Sequence, residues 1–178
     1  MLGQDFTVRD LSALDDLPQV DETGSTFEEN AQLKALAASA RVPGLVVADD
    51  SGLEVAALNG APGVYSARYA GEGASDSANV AKLLAALRGH PSPGDRSARF
   101  CCALAVARDG KIADVLLGTV EGNISDAPRG QNGFGYDPVF IPRGFTKTFA
   151  ELGAETKNRI SHRADAIRKL REFLVNVP

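Results

Sequence analysis

Leu45-Val46-Val47-Ala48-Asp49-Asp50-Ser51-Gly52 joins an apolar, β-branched run to two adjacent carboxylates, a hydroxyl and a glycine. The run reads as a buried strand that the acids bring to an end. Side chains alternate along an extended backbone, so Asp49 and Asp50 point opposite ways and serve different duties. Carboxylates at the C-terminal end of a buried strand stand where open α/β sheets bind their ligands.

Working outward, Ser25-Thr26-Phe27-Glu28-Glu29 carries a capping-box pattern, Thr26 with Glu29. It opens a helix to about Arg41 with Phe27, Ala31, Leu33, Leu36, Ala37 and Ala40 as its apolar face. The strand at Leu45–Ala48 follows Pro43-Gly44, and Glu54 to Leu58 reads as a second short strand or ordered segment before a Gly60-Ala61-Pro62-Gly63 turn. Ser75 or Asp76 caps a helix to Arg88, with Gly89 as its stop, and Pro91 to Gly94 is a loop. Ala98–Arg108 and Lys111–Val120 are strands joined by Asp109-Gly110, a strong two-residue hairpin signal. Gly130 to Asp137 is a glycine-rich loop, and Ser161 opens a last helix to about Asn176 with Ala164, Ile167, Leu170 and Leu174 inward. Strands mixed with helices, plus one long antiparallel hairpin, predict an α/β protein with a mixed sheet.

The 178 residues suffice for one substantial core, and no run of apolar residues is long enough to span a bilayer. Met1-Leu2-Gly3-Gln4-Asp5 opens no signal peptide, so a cytosolic (cytoplasmic) chain without a membrane partner is expected. A net charge of −4 argues against a nucleic-acid surface, and any anionic ligand must be met by a local cationic cluster and a metal ion. Cys101 and Cys102 are neighbours on a strand, facing opposite sides as core filling rather than bridging each other. With only His90 and His162 beside them, no structural zinc site is expected.

Three clusters join the double acid. Asp21-Glu22-Thr23-Gly24 precedes the first helix, on which Asn30 and Lys34 share a face. Gly130-Gln131-Asn132-Gly133-Phe134-Gly135-Tyr136-Asp137-Pro138 combines close-approach glycines with two aromatics on which a base can stack. No GxxxxGK[ST] loop occurs, which excludes a Walker-type nucleotide site. Lys157-Asn158-Arg159-Ile160-Ser161-His162-Arg163 puts His162 and Arg163 in the first turn of the last helix, where cations oppose the macrodipole. A bound phosphate or base oxygen would relieve that conflict. Acids for a divalent cation, cations for phosphates and an aromatic-glycine loop for a base together suit a nucleotide hydrolase.

These motifs resemble the inosine/xanthosine triphosphate pyrophosphatases across nearly the whole chain. The resemblance rests on Thr26-Phe27-Glu28-Glu29-Asn30-Ala31, Ala48-Asp49-Asp50-Ser51-Gly52-Leu53, Gly60 to Tyr69, Gly133-Phe134-Gly135-Tyr136-Asp137-Pro138 and Ile160-Ser161-His162-Arg163. It implies a single domain over residues 1–178 with an elongated, two-lobed fold, a central cleft, a homodimer and Mg²⁺ dependence. It implies hydrolysis of ITP, dITP and XTP to the monophosphate and pyrophosphate. By position it makes Asp50 the general base and a magnesium ligand, with Asp21 or Glu22 as a second metal contact. Lys34 would face the phosphates and Ser51 the substrate. Phe134, Gly135, Tyr136 and Asp137 would surround base and sugar, with Lys157, His162 and Arg163 closing on the 6-oxo purine. The family's opening strand and Thr/Ser-x-Asn-x-x-Lys-x-x-Glu motif have no counterpart here, Met1 to Phe6 matching the end of that first helix. The sheet is therefore expected to lack the strand beside Leu45–Ala48. The alternative is a nucleotide-binding but catalytically impaired protein.

Overall fold

The computed structural model describes residues 7–11, 20–90 and 93–176. Its frame is a four-stranded sheet in the order β1 (Val46–Val55), β2 (Ser97–Arg108), β3 (Lys111–Ile124) and β4 (Phe140–Pro142). Around it pack α1 (Phe27–Ser39), α2 (Asp76–Ala86), α3 (Phe149–Ile160) and α4 (His162–Asn176). The α/β class stands. Every strand pairing among the described residues is antiparallel, so the parallel pair of a mixed sheet is not found there. The match expected of Met1 to Phe6 lies outside the described residues, as do Pro91 and Ser92.

β2 is the spine, buried on both faces from Phe100 to Ala107 and about 40 Å long at ~3.3 Å per residue. Cys101, Ala103, Ala105 and Ala107 face Phe27, Ala31 and Ala35 of α1. Cys102, Leu104 and Val106 face Ala166 and Leu170 of α4. The two cysteines thus sit in separate clusters, both free, as the alternation requires. Toward the other end of β2, Phe100 joins Leu53, Val55, Leu83, Phe140 and Phe149 in a larger cluster under α2 and α3. The core is thereby divided along one elongated sheet. Among the described residues no helix is long and apolar enough to cross a membrane.

The double acid ends no strand. β1 runs through Asp49-Asp50-Ser51-Gly52 because β2 offers ten consecutive partners, from Val46↔Ala107 to Val55↔Ala98. The separate segment expected at Glu54 is the end of this strand, and a 3₁₀ turn at Ala56–Leu58 follows. Gly52 serves close packing: a Cβ there would stand 2.5 Å from Ser66 Oγ and 2.7 Å from both Gly63 O and the Phe27 ring. Ser66 Oγ accepts the Leu53 amide at 2.9 Å, which covers part of the outer side of β1. Among the described residues β1 is an edge strand, with Val47 exposed, rather than the buried strand that its apolar start suggested.

Other boundaries followed local chemistry. Thr26 caps α1 by accepting the Glu29 amide at 3.1 Å, while the Glu29 carboxylate reaches one residue beyond the box, to the Ser25 amide. The inward face of α1 is Phe27, Asn30, Ala31, Ala35 and Ser39, so Phe27 and Ala31 of the predicted set stand, while Leu33 and Ala40 are exposed. Small side chains are needed because α1 lies on the alanine stripe of β2. Ser75 caps α2, and Asp109 (φ 51°) with Gly110 (φ 72°) makes the hairpin turn. Ser161 caps α4, whose buried face runs through His162, Ala166 and Leu170 in place of Ala164. α3 was not anticipated, although Thr148 and Glu151 form a complete capping box.

Candidate active site

The two faces of β1 carry different chemistry. On the α1 side, Asn30 and Lys34 both turn toward the strand. Lys34 Nζ donates to Asp50 Oδ1 at 2.9 Å and to Glu22 Oε1 at 3.1 Å, and Asn30 Nδ2 donates to Asp50 Oδ2 at 3.3 Å. The buried Asn30 also accepts the Gly24 amide at 2.8 Å, which holds the segment bearing Glu22 against the helix. Arg68 Nη1 stands 3.6 Å from Glu22 Oε2. Of the two acids left open by the sequence, Glu22 reaches Lys34, and Asp21 is exposed. Burial lifts the Asp50 carboxyl above the usual aspartate range, with the Lys34 hydrogen bond and charge pulling the other way. Burial works against the Lys34 charge, yet its hydrogen bonds to Asp50 and Glu22 outweigh this and raise its pKa.

On the α4 side stands an aromatic platform. Phe134 is 60% exposed, with Lys157 Nζ 4.1 Å and the Arg163 guanidinium carbon 5.7 Å from its ring centre. The buried Asp137 carboxylate binds Lys157 and accepts the Phe134 amide at 3.0 Å, so one group sets both platform and cation. Gly133 (φ 80°) leaves that carboxylate room, since a Cβ there would overlap it. The Gly135 amide donates to Asp76 of α2 at 2.6 Å. Tyr136 is buried, its hydroxyl donating to Ser66 O at 2.9 Å, so its ring anchors the loop rather than facing outward. Arg163 pairs with Asp49 at 3.1 Å, and Ser51 Oγ donates to the same carboxylate at 3.2 Å.

His162 corrects the helix-dipole argument. It lies buried and stacked on Phe100, ring centres 4.8 Å apart, and burial, aided by Arg163 and Lys157, pushes its pKa down to about 3. It is a neutral imidazole near pH 7, so Arg163 is the one cation of the pair. Arg163 Nη1, a donor only, lies 3.4 Å from His162 Nε2, which assigns the imidazole proton to Nδ1. That Nδ1 is the one buried side-chain nitrogen or oxygen without a hydrogen-bond partner among the described residues.

The profile of the Ham1 family matches residues 1–173. The chain belongs to the Ham1 family. A dITP/XTP pyrophosphatase of Geobacillus kaustophilus is 58% identical over 165 residues, covering 93% of this chain and 80% of the relative. The solved Ham1 protein of Staphylococcus aureus superposes with a TM-score of 0.89 at 50% identity, over 97% of this chain and 88% of that one. A nucleoside-triphosphatase or dITP/XTP pyrophosphatase of Mycobacterium abscessus gives a TM-score of 0.76 at 46% identity, over 88% and 81%.

Within this Ham1 chain the structure gathers Asp50, Lys34 and Glu22 into one cluster and Phe134, Asp137, Lys157, His162, Arg163 and Ser51 into a second. Sequence reasoning missed Asp49, Arg68 and Asp76 as partners of these groups. The signal for Asp49 was present in the alternation that set it opposite Asp50. Nothing local marks Asp76, whose acceptor role depends on a loop 59 residues away.

Proposed function

We propose that this chain hydrolyses deaminated purine nucleoside triphosphates, ITP, dITP and XTP, to the nucleoside monophosphate and pyrophosphate. One observation carries the reading: a half-buried Asp50 held by Lys34 on one face of β1, and an exposed Phe134 flanked by cations beside the other. The first arrangement suits phosphoryl chemistry and the second suits a purine. Relatives at this level of identity, which carry the name dITP/XTP pyrophosphatase, support turnover over mere nucleotide binding.

Asp50 takes a proton from the water that attacks the α-phosphorus, and its raised proton affinity suits it to that role. Asn30 and Lys34 hold both carboxylate oxygens and thereby aim the base. The Lys34 ammonium, already shared between two acids, offers its charge to the phosphates as pyrophosphate departs. Glu22 and Asp50 both reach the Lys34 ammonium, and these two neighbouring carboxylates are the groups that would hold Mg²⁺, a hard ion commonly bound by one or two carboxylates together with substrate phosphates. When bound, the ion neutralises phosphate charge and orients reactants. On the other face a purine stacks on Phe134 while Lys157 and Arg163 donate to its 6-oxo group. An adenine 6-amino group would leave those donors unpaired. A homodimer working in the cytosol belongs to the same proposal.

The test is pyrophosphate release from ITP, XTP, GTP and ATP, with and without Mg²⁺, by wild type and Asp50→Asn. Selective release from ITP and XTP that needs Mg²⁺ is expected, with a loss of about 10²–10⁴-fold in the variant at little cost in folding. Near-normal turnover by Asp50→Asn would sink the assignment.

A further inference from the structure

We propose that Asp49 is the positioning residue for Arg163, and that by aiming this guanidinium it sets purine selectivity. The proposal rests on the reading of the Phe134 face as the purine subsite. Asp49 Oδ2 accepts from Arg163 Nη2 at 3.1 Å, from Arg163 Nε at 3.4 Å and from Ser51 Oγ at 3.2 Å. One edge of the guanidinium is thus spent on the strand. Nη1 lies against His162 Nε2, and the guanidinium N–H groups taken by neither Asp49 nor His162 are left to donate beside the Phe134 ring.

Fold strength does not account for this pair. The two side chains are 46% and 41% exposed, where an ion pair adds little to stability. Its consequence is geometric. An arginine has many rotamers, and anchoring its Nε edge leaves few of them. Asp49 and Asp50 are adjacent on β1 and face opposite ways, so one rigid strand fixes the base-reading guanidinium relative to the general base. A nucleotide whose purine engages Arg163 is then held at a set distance from Asp50, which is what effective catalysis of the correct substrate requires.

The experiment measures kcat/KM for ITP and ATP, and equilibrium binding of IMP and AMP without metal, in wild type, Asp49→Ala, Asp49→Glu, Arg163→Ala and the Asp49→Ala/Arg163→Ala double variant. Thermal unfolding accompanies each. The ITP:ATP ratio and the IMP:AMP affinity ratio should each fall about tenfold in Asp49→Ala and recover in part in Asp49→Glu. In the Arg163→Ala background, removing Asp49 should change neither ratio further, because its effect passes through that guanidinium. Unchanged ratios in Asp49→Ala, or losses that multiply in the double variant, overturn the proposal. A wild type with no preference for ITP overturns the subsite reading itself and the proposal with it. Should Asp49→Ala fail to fold, Asp49→Val, which suits a strand and likewise lacks an acceptor, carries the same expectations.

Discussion

Gly118 is the point at which the sheet admits α4, and Gly118→Ala should damage selectivity before it damages the fold. A Cβ at this position would stand 2.7 Å from the Ala166 Cβ and closer still to His162 O and Ala166 N. Carbon atoms rest about 3.5–4.0 Å apart, so the first turns of α4 must move away by roughly 1 Å. That turn carries His162 and Arg163, and a displacement of about 1 Å in positioning groups can cost around 10²-fold in rate. Overpacking itself costs about 1–3 kcal/mol, or a midpoint lowered by roughly 2–12 °C in a chain of this size. Gly122→Ala is the matched control. Its Cβ would meet Phe140 Cζ at 2.6 Å, a comparable clash beside β4 and away from Arg163. Both variants should melt earlier. Only Gly118→Ala should lose the ITP:ATP preference, as read by pyrophosphate release at a temperature where both are folded. Equal selectivity in the two would show that the seating of α4 does not govern the purine subsite.

Two further outcomes follow from particular side chains. Burial raises the Asp50 pKa, so without Mg²⁺ its side-chain carboxyl, followed by NMR, should titrate above the ordinary aspartate value of about 3.9, and the signal should be absent from Asp50→Asn; a titration at or below that value would contradict this. The same shift sets a sign for stability. Between the ordinary value and the raised one the folded state binds more protons than the unfolded, so the Asp50 contribution to stability is lost as pH rises through that window. Urea unfolding of wild type against Asp50→Asn across the acid range checks this, and a contribution that grows with pH would contradict it. Arg96 is buried and donates to Ile124 O and Ser125 O at 2.8 Å each, and to Leu87 O and His90 O at 3.3 and 3.4 Å. Arg96→Met should therefore lower stability by about 3 kcal/mol or more by stranding buried carbonyls, and a loss below about 1 kcal/mol in urea would refute that clamp.

What was legible in the sequence was what local chemistry dictates. Caps at Thr26, Ser75 and Ser161 and the Asp109-Gly110 turn need only neighbours a few residues away, and each stands where its pattern predicted. The misreadings arose where a partner remote in sequence decides the outcome. The α1 face was misassigned at Leu33 and Leu36 because Ala31 and Ala35 are the residues that meet the small side chains of β2. α3 was hidden because Gly153, at φ 78°, interrupts the helical pattern just after its capping box.

The site divides along the same line. Asp50, Lys34 and Phe134 announce themselves by residue type, yet their charge states and orientations come from groups far along the chain. His162 illustrates the difference. Read locally, it is a cation placed against a helix dipole. Stacked on Phe100 from β2 and walled from water, it is neutral. The electrostatic puzzle at the start of α4 then reduces to Arg163, and its answer is a carboxylate 114 residues upstream. The two neighbouring acids of β1 thereby take the separate duties that strand alternation demands. Asp50 faces Lys34, and Asp49 faces the guanidinium beside the aromatic platform. A ten-residue strand holds the two at a fixed separation, so a shift of either α1 or α4 against β1 changes the distance between the proposed purine subsite and the proposed general base.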